Sequence, residues 1–588
     1  MPPRERILVD CKDVEHSAAR AWLATWLAIA ALVVVACQPG PGERDQVAEL
    51  GDELDNAVFR DRVVAVVRGV AAGEPNTPCA LPPTAEQPLR VAVSLYDGGA
   101  VVGRGTATHD ELCVSLKEAA GLALAASGYD SERVEQARFV VELVDLEYAL
   151  VEHDGHGVEL VGGLVPARVL DRDMVRRRID EGTAYLLRVM DPELGGVHKY
   201  YHAPTDSFDD RLHTIYTAST LYTLLAVYAR DRDERLRQPI ERAAGFLLSM
   251  QRVAPGQPAH GAFHYSLDLR RHEREPRFVV GTTSKSIFTL IDLHAFSGDP
   301  AYLDAARLAA DWLLTMQDEG GRVASELRLD ADGAWSVAEQ ESLLYTGQVL
   351  SALSRLYEVT DDPRYRDAAA RTAGRLADRT EREGCYLGDD YRQPNPISSS
   401  WVVLSLFDFA RAGDDPAIRK VVYDCADELL AQQIDDPADV YRHGRWQASL
   451  SSSGNGWLAE VLSELYLDCP RGDGDGCARF QGAVILLFRL LTQYTYSPAN
   501  SFMTKNPAMA EGGLFWNPQE RYVRTDSVCH AMNAYVFMVD RLAAGVLVEL
   551  PEPPLAERLG LAARSGRVVD EVDRGAEEED EFAAETVE

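Results

Sequence analysis

The chain is short of positive charge. Its 588 residues hold 59 Lys and Arg against 93 Asp and Glu, a formal net charge of −34. A surface of that sign repels phosphate backbones and anionic headgroups, so nucleic acid is excluded as a partner. Also missing near the N-terminus is an apolar run of spanning length. Ala21 to Ala36 is uncharged for 16 residues, where a membrane helix needs about 20. No Gly-rich phosphate loop is present, so no nucleotide cofactor is expected. What is present is an ordinary globular mix, 46% hydrophobic and 26% charged, at a length that implies two or more folded units.

The short apolar run fits the hydrophobic region of a secretory signal. Val34-Val35-Ala36-Cys37 resembles the lipobox of bacterial lipoproteins, in which the Cys becomes the lipidated first residue. The resemblance implies a signal peptide at 1–36, lipidation of Cys37 and a membrane partner reached through the lipid anchor. Gln38, in place of Asp, implies an outer-membrane address in the cell envelope. The segment ahead of the apolar run departs from the pattern, being 20 residues long and containing Asp10, Asp13 and Glu15. Export permits disulfides. Cys469 and Cys477, which bracket PRGDGDG, are the first expected pair, and Cys79 with Cys113 the second. Cys385, Cys425 and Cys529 read as small buried residues.

Residues 37–84 read as a Pro/Gly-rich tether followed by a helix. From 85 to 168 two β-rich runs flank Asp97-Gly98-Gly99, an amphipathic helix follows, and further Val-rich strands succeed it. That order predicts a small α+β module. Its hairpin, helix and RF-containing strand resemble the AMMECR1 domain, without that family's RGCIG motif; Gly103-Arg104-Gly105 stands nearby. The module reads as packing or binding and not catalytic.

From 170 to 545 the pattern is helical and repeats six times. One helix of each pair is charged on its back with a period-3.6 apolar stripe, as an outer layer requires. Several open on Asp-Pro, a capping and start signal. The partner helix is poor in charge and rich in Ser, Thr, Gly and aromatics, as a buried inner layer requires. A Gly/aromatic loop precedes each inner helix, and the inner starts fall near 210, 282, 340, 398, 453 and 526. The last repeat is Gly512 to Ala543. The fold class is therefore mainly α: an (α/α)6 toroid of six helical hairpins preceded by a small α+β module. In repeat plan, 170–545 resembles the six-hairpin glycosidase superfamily with its epimerase and lyase relatives, over about 65% of the chain. Residues 546–588 read as an acidic disordered tail, with ten acidic and two basic residues from Gly566 onward.

The resemblance implies a carbohydrate substrate bound where the inner helices begin. Helix N-termini gathered at one mouth favour anions and suit uronates or other carboxylated sugars. Asp210, Glu341 and Asp526 are the acid/base candidates, with His530 in support. His213, Tyr216, Tyr345, Trp457, Trp516 and Asn533 are the expected substrate-binding residues. Glu341 and Tyr345, and likewise Asp526 and His530, lie at i, i+4, hence on one helical stripe. Asp526-x-x-Cys529-His530 is similar to the zinc ligands of toroids such as protein prenyltransferases and lanthionine cyclases. Those sites need another Cys or His from a neighbouring repeat, and adjacent helical residues point about 100° apart. Asp468, Asp473 and Asp475 form an incomplete calcium spacing. No metal is expected.

The leading expectation is glycoside hydrolysis by two carboxylates. Its rivals are an epimerase or polysaccharide lyase using Tyr and His, and a non-catalytic glycan-binding or envelope-assembly protein. Two carboxylates about 5–10 Å apart favour the first. A basic mouth with Tyr and His favours the second, and an apolar plug the third.

Overall fold

A computed structural model describes residues 57–550 apart from 75–77, 80–88, 98–99, 144–147, 154–156, 163–166, 438–441, 447–450, 470–476, 498–500, 502–503, 518–520 and positions 204, 331 and 339. The signal segment, Cys37, the tether and the residues after 550 lie outside this range.

The N-terminal module comprises α1 (Ala57–Ala71), β1 (Leu89–Asp97), β2 (Ala100–His109), α2 (Leu112–Ser127), α3 (Ser131–Gln136), β3 (Arg138–Leu143), β4 (Tyr148–His153) and β5 (Gly157–Gly162). Its antiparallel sheet has the order β2-β1-β3-β4-β5. Alternation sends Val91, Val93, Leu95, Val141 and Leu143 into one core with Leu116 and Ala120 of α2 and Val63 and Val67 of α1. The opposite face is also buried at Ala92, Ser94 and Glu142. There Arg104 donates to Ser94 Oγ at 2.9 Å and forms an ion pair with Glu142. Burial still holds the Glu142 carboxyl above its ordinary value. Cys79 and Cys113 are bonded and join the start of the module to α2.

Among the described residues, twelve long helices follow as six hairpins, with a single helical turn at Pro507–Ala510 besides. The outer helices are α4 (Arg172–Arg188), α6 (Arg237–Ser249), α8 (Pro300–Thr315), α10 (Pro363–Glu383), α12 (Pro416–Leu430) and α14 (Ala478–Tyr494). The inner ones are α5 (Thr214–Asp231), α7 (Val280–Ser297), α9 (Leu343–Thr360), α11 (Pro396–Gly413), α13 (Ser452–Asp468) and α15 (Thr525–Met538). Each inner helix packs on the next, and α15 packs back on α5, so the ring closes. This is an (α/α)6 toroid.

Local chemistry explains the two layers. The Asp side chains of Asp299, Asp362 and Asp415 accept backbone N–H bonds at the starts of α8, α10 and α12, with Pro next in line. These caps satisfy donors that a helix start leaves open. Some buried hydroxyls of the inner layer are answered within their own helices: Thr217 donates to His213 O at 2.9 Å, Ser284 to Val280 O at 2.8 Å and Ser463 to Ala459 O at 2.6 Å. Back-bonding of this kind lets Ser and Thr enter a buried layer, although the hydroxyls of Thr282, Thr346, Ser351, Ser354 and Ser527 are buried without a partner. Small residues also set the helix spacing: a Cβ at Gly347 would stand 2.8 Å from Trp401 O.

Two expectations are corrected. Cys385 and Cys425 are not separate buried thiols but a disulfide; Cys385 follows α10 and Cys425 lies on α12, elements that ring closure makes neighbours. The tail drawn from 546 begins too early, because Val546–Glu549 pairs antiparallel with Val169–Asp171 and clasps the two ends of the ring. Cys469 and Cys477 are bonded beyond α13, and Cys529 is a buried free thiol.

Candidate active site

The first turns of all six inner helices surround an axial cavity of about 170 Å³. Tyr216 and Ser219 come from α5, Thr282 and Lys285 from α7, Tyr345 and Gln348 from α9, Trp401 from α11, Ser453 and Trp457 from α13, and Asp526 and His530 from α15. The preceding loops add Tyr265, Arg392 and Arg524. Beneath lies a second space of about 10 Å³, bounded by Tyr222, Lys285, Phe288, His530 and Asn533.

The most distinctive arrangement runs through α15 into α13. His530 Nδ1 bonds Glu460 Oε2 at 2.7 Å. Asn533 Nδ2 donates to Glu460 Oε1 at 3.1 Å, and Thr223 Oγ1 donates to Asn533 Oδ1 at 2.8 Å. Glu460 is 3% exposed. Burial pushes its carboxyl up, but the hydrogen bond and charge of His530, the charge of Lys285 and the Asn533 amide together hold it below its ordinary value. In the neutral imidazole with its proton on Nδ1, the carboxylate accepts from Nδ1–H and Nε2 has a lone pair. Among the described residues nothing bonds Nε2, and the imidazole borders both spaces.

One wall is aromatic. Trp401 and Trp457 stack at 3.9 Å between centroids with 16° between planes, and Trp457 Nε1 donates to Ser400 Oγ at 2.9 Å. Trp457 meets His530 edge-on at 5.1 Å. The opposite side carries the phenols of Tyr216, Tyr265 and Tyr345. Burial raises the Tyr345 hydroxyl to about 12 and the Tyr216 hydroxyl well above the usual phenol range, so both stay protonated.

The expected site residues divide. Asp526, His530, Tyr216, Tyr345 and Trp457 line the cavity, and Asn533 lines the space below. Asp526 is held in a two-pronged pair: Arg524 Nε donates to Oδ1 at 2.7 Å and Nη2 to Oδ2 at 2.6 Å. Burial opposes its charge, but Arg524, His530 and Ser453 hold its carboxyl below the ordinary value. Trp516 does not reach the cavity; it lies beneath the Arg524 guanidinium at 4.4 Å and positions that arginine.

Three further expected residues, Glu341, Asp210 and His213, stand apart from the cavity. Glu341 is 5% exposed and closed by Arg375, whose Nη2 donates to Oε2 at 2.7 Å. Asp210 faces outward, with its side chain 56% exposed and paired with Arg270. Its neighbour Asp209 turns inward instead and accepts from His213 Nε2 at 3.1 Å. His213 is buried behind Tyr216 and Tyr265 and meets both edge-on. On α15, Cys529 faces α5, with Sγ 3.6 Å from Thr220 Oγ1, so it diverges from Asp526 and His530. Among the described residues, Asp526 is the one carboxylate that lines the cavity.

Lys285, Glu460, Trp401, Arg392 and Arg524 were not among the expected site residues. Lys285 and Glu460 are each a lone charge within an otherwise uncharged run, GTTSKSIFTLI and GNGWLAEVLS, and that was the available signal.

No family model matches the chain, and no curated protein matches it by sequence. Among solved structures it is similar to the cellobiose 2-epimerase from Bacillus thermoamylovorans B4167, with 15% identity, 63% of this chain and 99% of that chain covered, and a TM-score of 0.49. It is similar to the GH76A α-1,6-mannanase from Salegentibacter sp. HEL1_6 at 13% identity, with 62% and 98% covered and a TM-score of 0.46. It is also similar to the unsaturated glucuronyl hydrolase from Bacillus sp. GL1 at 14% identity, with 63% and 97% covered and a TM-score of 0.46.

Proposed function

We propose that the chain is a carbohydrate-active enzyme that moves a proton at a sugar carbon beside a carbonyl, as an epimerase or isomerase does. The observation that carries this reading is the Glu460–His530 pair. A carboxylate that fixes Nδ1 presents Nε2 to the cavity as a base, and the imidazolium formed on proton uptake is stabilised by the same carboxylate. The phenols of Tyr216 and Tyr345 keep their protons and serve as donors to the carbonyl oxygen as charge develops on it. The stacked face of Trp401 and Trp457 suits the C–H face of a sugar ring.

Hydrolysis by paired carboxylates is the weaker reading. It needs two carboxyl groups across the scissile bond. Asp526 has no such partner among the cavity residues, and its proton affinity is lowered, which does not suit a general acid.

The test is a panel of reducing and uronate-containing sugars followed by proton NMR and a reducing-end assay. A new stereoisomer or ketose without new reducing ends supports the proposal. New reducing ends alone overturn it in favour of hydrolysis.

We also propose that segment 1–36 is removed and Cys37 lipidated, which anchors the ring to the cell envelope at the outer membrane. Three disulfides support an oxidising destination. An intact mass that retains residues 1–36 would overturn the anchor.

A further inference from the structure

This chain uses arginine nearly wherever it needs a cation. Of its 59 Lys and Arg only six are lysine: Lys12, Lys117, Lys199, Lys285, Lys420 and Lys505. Lys285 is the one that stands in the axial cavity. Its Nζ lies 5.1 Å from the Trp401 ring, 5.4 Å from Trp457 and 5.2 Å from Phe288. Among the described residues no carboxylate comes within ion-pair distance of Nζ and no acceptor takes its protons, although Glu460 acts on it through space. The nearby arginines differ. Arg524 is bound to Asp526, and Arg355 to Asp408 and Glu464.

A guanidinium does not give up its proton in a protein, whereas an ammonium enclosed by rings does so readily. Lysines that are desolvated or placed beside another cation become nucleophiles. The first condition holds here: burial lowers the proton affinity of Lys285, and Glu460 opposes this more strongly than Arg355 adds to it. Lys285 shares both axial spaces with His530.

We infer that Lys285 is a carbonyl-capturing nucleophile, whose amine condenses with the aldehyde carbon of an open-chain reducing sugar. The nitrogen lone pair forms the C–N bond, and the C=O π pair moves to oxygen, which takes a proton. The resulting carbinolamine passes a proton from nitrogen to the hydroxyl and loses water, leaving a C=N bond. Protonated, that imine accepts the electron pair freed when His530 removes the proton from the adjacent carbon. Reprotonation of this carbon and addition of water release sugar and amine. The second half of this sequence rests on the proton-transfer reading; the capture needs only an aldehyde.

Two readouts on the full-length protein separate capture from proton transfer. The protein is incubated with D-glucose or D-mannose and cyanoborohydride, which adds hydride to the imine and fixes it as a secondary amine. Peptide mass mapping then locates the sugar. In parallel, deuterium entry at the carbon beside the carbonyl is followed by NMR in D2O. Label is expected to accumulate at Lys285 ahead of the exposed Lys420, because a lowered proton affinity raises the free-amine fraction. Deuterium entry is expected to vanish in Lys285→Arg, which keeps the charge and cannot form the imine at a useful rate. His530→Gln is expected to lose deuterium entry and keep the label. Label at Lys117 and Lys420 with none at Lys285 overturns the capture, and persisting deuterium entry then leaves the proton-transfer reading standing. Label at Lys285 without deuterium entry in the wild type overturns the proton transfer and leaves the capture.

Discussion

Phe288 separates two cations on adjacent inner helices. Lys285 lies 5.2 Å from its ring and Arg355 lies 4.8 Å from it. Towards the mouth, Lys285 has no bonded counterion. Away from it, Arg355 Nε donates to Asp408 Oδ2 at 2.8 Å and Nη2 donates to Glu464 Oε1 at 3.3 Å. Arg411 adds a second contact to Asp408 at 3.2 Å. Asp408 is fully buried. One end of the axis is thus a closed charge network, and the other holds an unanswered ammonium beside an imidazole with an open nitrogen. A buried charge with all its partners ties helices together; one without partners is left for a ligand.

Breaking the closed end has the largest expected effect. Arg355→Leu strands Glu464, leaves Asp408 with Arg411 alone, and destabilises the ring by about 3–5 kcal/mol, read by urea unfolding. At the open end, His530→Gln keeps a donor for Glu460 and removes the base. Turnover falls about 10²–10⁴-fold, with little change in the urea midpoint. Equal losses of stability from both substitutions would erase the contrast between the ends. Replacing both Cys385 and Cys425 by Ser opens a bridge that spans 40 residues of chain. It costs about 2–4 kcal/mol and leaves KM unchanged.

The closed end also has a pH signature. Burial raises the Asp292 carboxyl from 3.8 to about 6, with Arg355 opposing. Between those values the unfolded chain has given up a proton that the folded chain keeps. Stability therefore falls as pH rises from 3.8 to about 6. Asp292→Asn removes that slope and stabilises the protein at neutral pH by roughly 3 kcal/mol, seen as a flatter melting temperature against pH. The smallest effect is expected outside both ends: Asp210→Asn changes stability by less than about 0.5 kcal/mol and leaves turnover intact.

The same contrast explains what could be read from the sequence. The inner helices expected near 282, 398, 453 and 526 begin at Val280, Pro396, Ser452 and Thr525. A Gly/aromatic loop, a polar first turn and an apolar body repeat six times, and any one of them marks a helix start. The cavity was only half legible. Asp526, His530, Tyr216, Tyr345 and Trp457 sit in or next to first turns, where polar residues were sought. Glu460 lies deeper in its helix, and Lys285, at the same depth as His530 and Trp457, is a lone charge that reads as a solvent-facing position until the ring closes around it. Asp209 and Asp210 are adjacent, and only the local strand geometry decides which faces inward. The Cys385–Cys425 bridge depends on α10 and α12 becoming ring neighbours, which spacing alone does not reveal.

The central claim is that the open end transfers a proton by way of His530. Its most direct measurement is solvent deuterium entry into a panel of reducing sugars, followed by NMR for the wild type and His530→Gln side by side. The account predicts deuterium at the carbon beside the carbonyl with the wild type, and its loss with the variant at unchanged thermal stability. Deuterium entry at equal rates in the two proteins would contradict it.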